Sequence, residues 1–222
     1  LRTADALSIL GAGAAPTICQ RIIVGDAENN WGQYRSDAQH LVRYLASKRG
    51  RQFNWRRTTI DREVRELVEV PILFLSVLGP FNWSQTEWQK IRDYCLAGGS
   101  VVIDIGEEAQ PQRDAVVSAL KQAFPEYPLS DLPPDALVLT PLPSPLAKGG
   151  AEGGRLTLSG IQALGNGFRH FLFLPKESWA CQWHLYQVDE HKGAFAFMNN
   201  LLTYTTDGTP PHSSFAVSTY AV

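Results

Sequence analysis

The chain has 222 residues, of which 44% are hydrophobic and 19% are charged. This composition excludes disordered and fibrous proteins and provides enough apolar residues for a sizeable core. Twenty basic and twenty-two acidic residues give a net charge of −2, so the surface has no overall attraction for nucleic acid or for an anionic membrane. The longest apolar stretch, residues 70–81, is shorter than the roughly 20 residues that a membrane-spanning helix needs.

The first half of the chain alternates apolar runs with helical patterns. The runs at 18–24, 72–77 and 101–105 are predominantly apolar, and the run at 72–77 is nearly all apolar, which is typical of strands buried on both faces of a parallel sheet. An alternating segment at 52–56 predicts an edge strand. The expected helices span residues 37–48, 61–68, 85–97 and 113–124.

Capping residues mark the ends of these helices. Ser36 is expected to cap the first long helix, and Gly50 to end it. Ser84 and Glu87 have the spacing of a capping box. The pair Gly98-Gly99 predicts a left-handed end to that helix.

The second half of the chain is less regular. Residues 125–154 contain seven prolines and two Gly-Gly pairs, which predicts a long loop within one domain. Strands are expected at 155–158 and 171–174, and a final helix at 192–204. Residues 213–222 either add an edge strand or form a tail without secondary structure. We therefore expect a flexible lead-in over residues 1–17 and a single α/β domain over residues 18–222.

This alternation predicts right-handed crossovers and a mostly parallel sheet between two layers of helices, a three-layer α/β/α sandwich. In such folds ligands bind in the crevice at the carboxyl ends of the strands.

A series of short motifs carries a family resemblance. An apolar strand ends in Gly79-Pro80-Phe81, Arg92 lies near the end of the next helix, and Gly98-Gly99 precedes a strand with an acid at its end. Further motifs are residues 124–125, 129–132, 154–156 and 199–204. Over residues 20–207 the chain resembles the bacterial family catalogued as domain of unknown function 4159.

The resemblance implies a flavodoxin-like fold, similar to class I glutamine amidotransferases. Relatives often belong to larger membrane-anchored or periplasmic proteins, so the resemblance leaves cytoplasmic and periplasmic locations open. Two motifs depart from the family. Asp104 stands alone where many relatives have paired aspartates, and residues 132–135 replace the usual His-Pro.

Glutaminase activity is not expected, although the scaffold suggests it. An amidotransferase needs a thiolate on a strand-to-helix elbow. The strand ends carry Asp26, Ser76 and Asp104 instead, whereas Cys95 lies within a helix and Cys19 at the start of a strand.

Carboxylates are the candidate catalytic groups. Asp26, Asp104, Glu107 and Glu108 follow or end two strands of the expected sheet. Together they could bind a divalent cation or polarise a water molecule. The alternative is that they cap helices and solvate loops, which acids at strand ends often do. Asp104, Asp26 and Glu107 are the catalytic candidates, and we assign no metal site or cofactor.

A polar ligand is the other expectation for this edge. Trp31 and Asn30 lie on the first strand-to-helix loop, and Ser76 and Gly79 end the next strand. These residues are the candidate ligand-binding residues, because aromatic and amide side chains bind sugars and other polar molecules.

Two further clusters are weaker signals. Cys181 and His184 form a Cys-x-x-His pair between tryptophans, which suggests a dyad or half of a metal site, or a loop with buried aromatic residues. Arginines at 49–57 surround Phe53 and Trp55. They suggest a phosphate or single-stranded nucleic-acid surface, but a charged edge strand is the preferred interpretation.

The sequence thus predicts a non-catalytic module for a small polar ligand or a protein partner, with no nucleic-acid partner. The alternative is a hydrolase or metal-dependent enzyme that uses carboxylates at the strand ends.

Overall fold

The computed structural model describes residues 15–24, 34–80, 82–140 and 155–206. Several sequence predictions lie outside the described residues. They concern Asp26, the loop residues Asn30 and Trp31, the end of the Gly-Pro-Phe turn, and the edge strand at 213–222.

Seven strands of the described residues form a single sheet in the order β2-β1-β3-β4-β7-β6-β5. The five strands from β2 to β7 pair in parallel, whereas β6 and β5 are antiparallel to their neighbours. The predicted mostly parallel sheet is therefore confirmed. The strands are β1 (Thr17–Val24), β2 (Asn54–Arg57), β3 (Ile72–Val77), β4 (Ser100–Ile105), β5 (Ser130–Asp131), β6 (Ile161–Gly165) and β7 (His170–Pro175).

Helices cover both faces of the sheet, and a separate hydrophobic core lies under each layer. On one face pack α1 (Asp37–Arg49), α5 (Trp179–Leu185) and α6 (Lys192–Thr205). On the other face pack α2 (Val64–Leu67), α3 (Gln85–Leu96) and α4 (Arg113–Ala123). Two 3₁₀ segments, Glu107–Gln112 and Leu137–Leu139, complete the elements of the described residues. The α/β sandwich is as the sequence predicts.

Most of the predicted helix ends are confirmed. Ser84 Oγ accepts a hydrogen bond from the Glu87 amide, and the Glu87 carboxylate accepts one from the Ser84 amide, as in a capping box. Gly50 ends α1 in the left-handed conformation. Ser36 stands at the N-cap of α1 as predicted, but its side chain makes no capping hydrogen bond. Instead Asp37 Oδ1 accepts from the Ala38 amide.

The second half of the chain differs most from expectation. Residues 155–158 are not a strand; the strand is β6, which follows Gly160 at φ +74°. Helix α5 occupies a segment interpreted as a loop with buried aromatic residues. Within the proline-rich segment, β5 and the turn Leu137–Leu139 are ordered elements, and residues 141–154 lie outside the described residues.

Candidate functional site

Three polar side chains form a row across the sheet face that is covered by α1 and α5. Arg21 lies on β1, Ser76 on β3 and Asp104 on β4. Ser76 pairs in register with Ile23 and with Asp104, and Ile23 shares its face with Arg21 because alternate residues of a strand point the same way. Arg21 is 4% exposed, and the other two are fully buried. Buried polar groups in such a row need internal partners.

Arg21 is held by Asp37, the first residue of α1. Its Nη1 donates to Asp37 Oδ1 at 2.8 Å and to the Tyr34 carbonyl at 3.2 Å, and its Nε donates to Ser76 Oγ at 3.0 Å. Burial raises the pKa of Asp37 to about 7, although the charge of Arg21 opposes this change. Asp37 therefore exchanges its proton near neutral pH.

Asp104 fixes the beginning of α5 against the sheet. Its Oδ1 accepts from the Trp179 amide at 2.6 Å and from the Ala180 amide at 3.2 Å. Its Oδ2 accepts from Ser178 Oγ at 3.0 Å. Burial raises the pKa of Asp104 to about 6, and these hydrogen bonds limit the rise. Both carboxylate oxygens are thus used to cap a helix that begins 75 residues later in the chain.

Glu107 and Cys181 lie above this row with Tyr34. Glu107 is exposed at the start of the 3₁₀ segment after β4, whereas Cys181 is half-buried on α5. Burial and the nearby charge of Glu107 raise the pKa of the Cys181 thiol, and a hydrogen bond with Tyr34 lowers it. The thiol is therefore protonated at neutral pH and is a poor nucleophile.

The other cysteines are also unsuited to nucleophilic chemistry. Burial raises the pKa of Cys19, on β1, to about 12, and it raises the pKa of Cys95, on α3, further. His184 could have activated Cys181 as its neighbour on α5, but its Nδ1 accepts a hydrogen bond from the Ser36 amide at 3.3 Å. The cysteines and this histidine have structural contacts instead.

The structure brings together only part of the predicted site. Ser76 and Asp104 are adjacent in the buried row, whereas Glu107 is exposed and Gly79 is half-buried just beyond β3. The predicted convergence of Asp26 with Asp104 involves a residue outside the described ranges and stays a prediction.

Arg21 and Asp37 were not among the predicted site residues. The sequence contained a signal for Arg21, because a charged residue in a strand that is buried on both faces is rare unless it is paired. Asp37 had none, since an acid in the first turn of a helix is common.

Groups of three or more potential metal ligands do not occur among the described residues. In the same ranges, no helix has both the length and the apolar composition needed to cross a membrane.

Comparison with known proteins identifies a family. A family model described as Domain of unknown function (DUF4159) matches residues 21–206, which is well over half of the chain. Curated proteins gave no match.

Proposed function

The chain belongs to the family described as Domain of unknown function (DUF4159), and we propose that it is a non-catalytic module that binds a small polar ligand. The ligand would enter at the carboxyl ends of β1, β3 and β4. Parallel α/β sheets bind ligands at this edge, because helix beginnings and loops converge there.

One observation carries this proposal. Asp104, the carboxylate best placed for catalysis at the strand ends, is fully buried, and both of its oxygens accept hydrogen bonds from the first residues of α5. A general acid or base must come within hydrogen-bonding distance of its substrate. Reaching substrate would require Asp104 to release the helix that it caps.

We further propose that the scaffold is flavodoxin-like and related to class I glutamine amidotransferases. The strand order β2-β1-β3-β4-β7 supports this proposal, because flavodoxin-like sheets have the order 2-1-3-4-5. Leu78 and Gly106 directly follow β3 and β4, where an amidotransferase would place its cysteine. A scaffold without its nucleophile is suited to binding rather than hydrolysis.

The second candidate is a hydrolase or metal-dependent enzyme that uses Asp104 with Glu107 or Asp26. The raised pKa of Asp104, about 6, favours this candidate, because carboxylic acids that donate protons in catalysis have pKa values near neutrality. Glu107 is exposed three residues later and is available to solvent.

A ligand screen with two readouts separates these functions. The protein is mixed with divalent metals, sugars, carboxylic acids and phosphate compounds. Its melting temperature is measured, and the ligands are followed by NMR. We expect one ligand class to raise the melting temperature, since ligands that bind only the folded state stabilise it, and we expect that ligand to stay chemically intact.

Glu107→Gln and the matched variant Glu108→Gln provide the control. Turnover of a ligand that Glu107→Gln abolishes and Glu108→Gln preserves would contradict a non-catalytic role and support the enzyme. A melting temperature that no ligand class changes would contradict ligand binding and favour a role in binding a protein partner.

A further inference from the structure

A groove of about 860 Å³ lies between α1 and the chain segment that leads into β2. Gly50 ends α1 in the left-handed conformation, and residues 51–55 then form the wall opposite the helix. The lining includes three residues of α1 and three of that segment: Val42, Arg43, Ala46, Arg51, Phe53 and Trp55. We call this space the β2 groove.

β2 is an edge strand, because β1 is its one neighbour in the described sheet. The Asn54 amide donates to the Pro16 carbonyl at 2.8 Å, and the Thr58 amide donates to the Arg21 carbonyl at 2.9 Å. Since alternate residues of a strand bond to the same neighbour, Trp55 directs its backbone N–H and C=O away from β1. Outward backbone groups of this kind are a template for a further strand.

The described lining of the β2 groove is basic, because it contains Arg43 and Arg51 and no Asp or Glu. The guanidinium carbon of Arg43 lies 5.4 Å from the ring centroid of Tyr186, and that of Arg51 lies 5.3 Å from the centroid of Phe53. Neither arginine forms an ion pair within the described ranges. The aromatic rings position the two guanidinium groups and leave their N–H donors available to an acid.

Apolar side chains lie between these charges. Val42 and Phe53 are buried, and Ala46 and Trp55 are half-buried. An apolar centre with a polar rim is the usual arrangement of a protein-binding surface. The groove therefore has the three parts that an extended peptide needs: a strand edge, an apolar surface and fixed charges.

From the outward strand edge and the basic lining, which are independent observations, we propose that the β2 groove binds an extended acidic segment of another protein. The segment pairs with β2 through the backbone of Trp55 and places its carboxylates beside Arg43 and Arg51. In strand addition of this kind, main-chain hydrogen bonds give affinity and alternate side chains give specificity. The proposal goes beyond the ligand-binding function above, because it uses the edge of the sheet and not the carboxyl ends of its strands.

An acidic peptide fits this groove better than the other occupants of a basic edge. The backbone of Trp55 offers both a donor and an acceptor, which a peptide backbone matches, whereas the phosphates of a nucleic acid are acceptors alone. A second copy of the chain would bring two sets of arginines together, and like charges on paired strands are destabilising.

Fluorescence anisotropy with a dye-labelled peptide tests the proposal. In the peptide, which is somewhat longer than β2, glutamate alternates with threonine. We expect the double variant Arg43→Gln with Arg51→Gln to weaken its binding about fivefold or more, since each charge pair near the surface contributes modestly. The matched control is Arg62→Gln with Arg65→Gln, which removes two exposed charges outside the groove. It should bind as the wild type does, and melting temperatures verify that both variants fold.

Three altered peptides test the two parts of the interaction. A peptide with lysine in place of glutamate should not bind, because its charge is repelled. Two further peptides carry N-methyl groups, one on the glutamate amides and the other on the threonine amides. Only one of these sets of amides faces β2, so one of the two peptides should lose binding while the other keeps it.

Equal affinity of the two double variants would overturn the proposal, because it would show general attraction to surface charge. Binding of both N-methylated peptides as tightly as the parent would overturn strand pairing, and no peptide binding at millimolar concentration would overturn the whole proposal. An oligothymidylate that binds in place of the peptide, and is lost in Arg43→Gln with Arg51→Gln, would assign the groove to nucleic acid. A dimer in light scattering that the peptide does not dissociate, together with an absence of peptide binding, would assign the edge to a second copy.

Discussion

Two arginines at opposite ends of the central strands have different kinds of partners. At the amino end of β4, Arg169 donates from Nη1 to the Gly98 carbonyl at 2.7 Å. Its Nη2 donates to the Gly99 carbonyl at 2.8 Å and to Ser100 Oγ at 3.1 Å. In the carboxyl half of β1, Arg21 instead donates to the ionisable side chain of Asp37. Each arginine also has one buried nitrogen, Nε of Arg169 and Nη2 of Arg21, without a hydrogen-bond partner among the described residues.

Arg169 has a structural role, whereas the interactions of Arg21 change with conditions. Carbonyls and a serine hydroxyl do not titrate near neutral pH, so Arg169 joins the turn after α3 to the start of β4 under all ordinary conditions. The partner of Arg21 does titrate, since the pKa of Asp37 is about 7. The charge at the carboxyl end can therefore respond to pH or to a bound ion, whereas the charge at the amino end cannot.

The largest expected effect comes from removing Asp37. In Asp37→Leu, Arg21 stays charged and buried without its ion-pair partner, and such losses cost about 3–5 kcal/mol. In Arg21→Met the loss should be smaller, because Asp37 can take up a proton and become neutral. Urea unfolding at pH 7 measures both free energies of unfolding.

The double variant Arg21→Met with Asp37→Leu is the control for that prediction. It replaces the ion pair by apolar groups, so we expect it to be more stable than Asp37→Leu alone. Equal losses in the two single variants, or additive losses in the double variant, would show that the pair is not coupled as the structure indicates.

The next effect is a pH dependence at Asp104. Its pKa is about 6 in the folded protein and about 3.9 in unfolded chains. The stabilising contribution of its proton is therefore complete below about pH 4 and is lost as the pH rises through about 6. A difference of one pKa unit between the folded and unfolded states corresponds to about 1.4 kcal/mol. The wild type should therefore lose about 3 kcal/mol from this group between pH 4 and pH 7.

Asp104→Asn should lack this part of the pH dependence, since an amide does not titrate. Its oxygen can still accept from the Trp179 amide, so its stability at pH 7 should be close to that of wild type. Urea unfolding from pH 4 to pH 8 provides the measurement, with the exposed Asp61→Asn as the control. A slope in Asp104→Asn as steep as that of wild type would refute the burial-driven shift.

The sequence predicted the fold well wherever the signal was local. Apolar runs identified β1, β3 and β4, and the capping box at Ser84 identified the start of α3. Helix α5 was missed, although Ser178 Oγ accepts from the Cys181 amide as a local N-cap. The carboxylate that accepts from its first two amides is Asp104, on a distant strand. Residues close in sequence cannot show a cap of this kind.

The site was predicted less well for a related physical reason. The sequence identified Ser76 and Asp104 as residues at strand ends, but it did not show that they are buried or which groups they contact. The pairing of Arg21 with Asp37 depends on how α1 packs over β1, which is a tertiary property. The position of Arg21 beside Arg57 likewise depends on the register of β1 with β2, and this cannot be derived from either strand alone.

The smallest of the expected effects concerns Gly99, at the amino end of β4. A Cβ atom added to Gly99 would lie 2.2 Å from the ring of Tyr94. That ring cannot move easily, because it is fully buried and its hydroxyl donates to the Val70 carbonyl at 2.8 Å. Gly99→Ala should therefore destabilise the protein by about 1–3 kcal/mol, as overpacking of a core does, and urea unfolding measures this loss.

A smaller residue at position 94 tests the cause. In a Tyr94→Leu background the added methyl group has room, so the additional cost of Gly99→Ala should become smaller. An unchanged cost would place the strain in the backbone instead of in the ring contact.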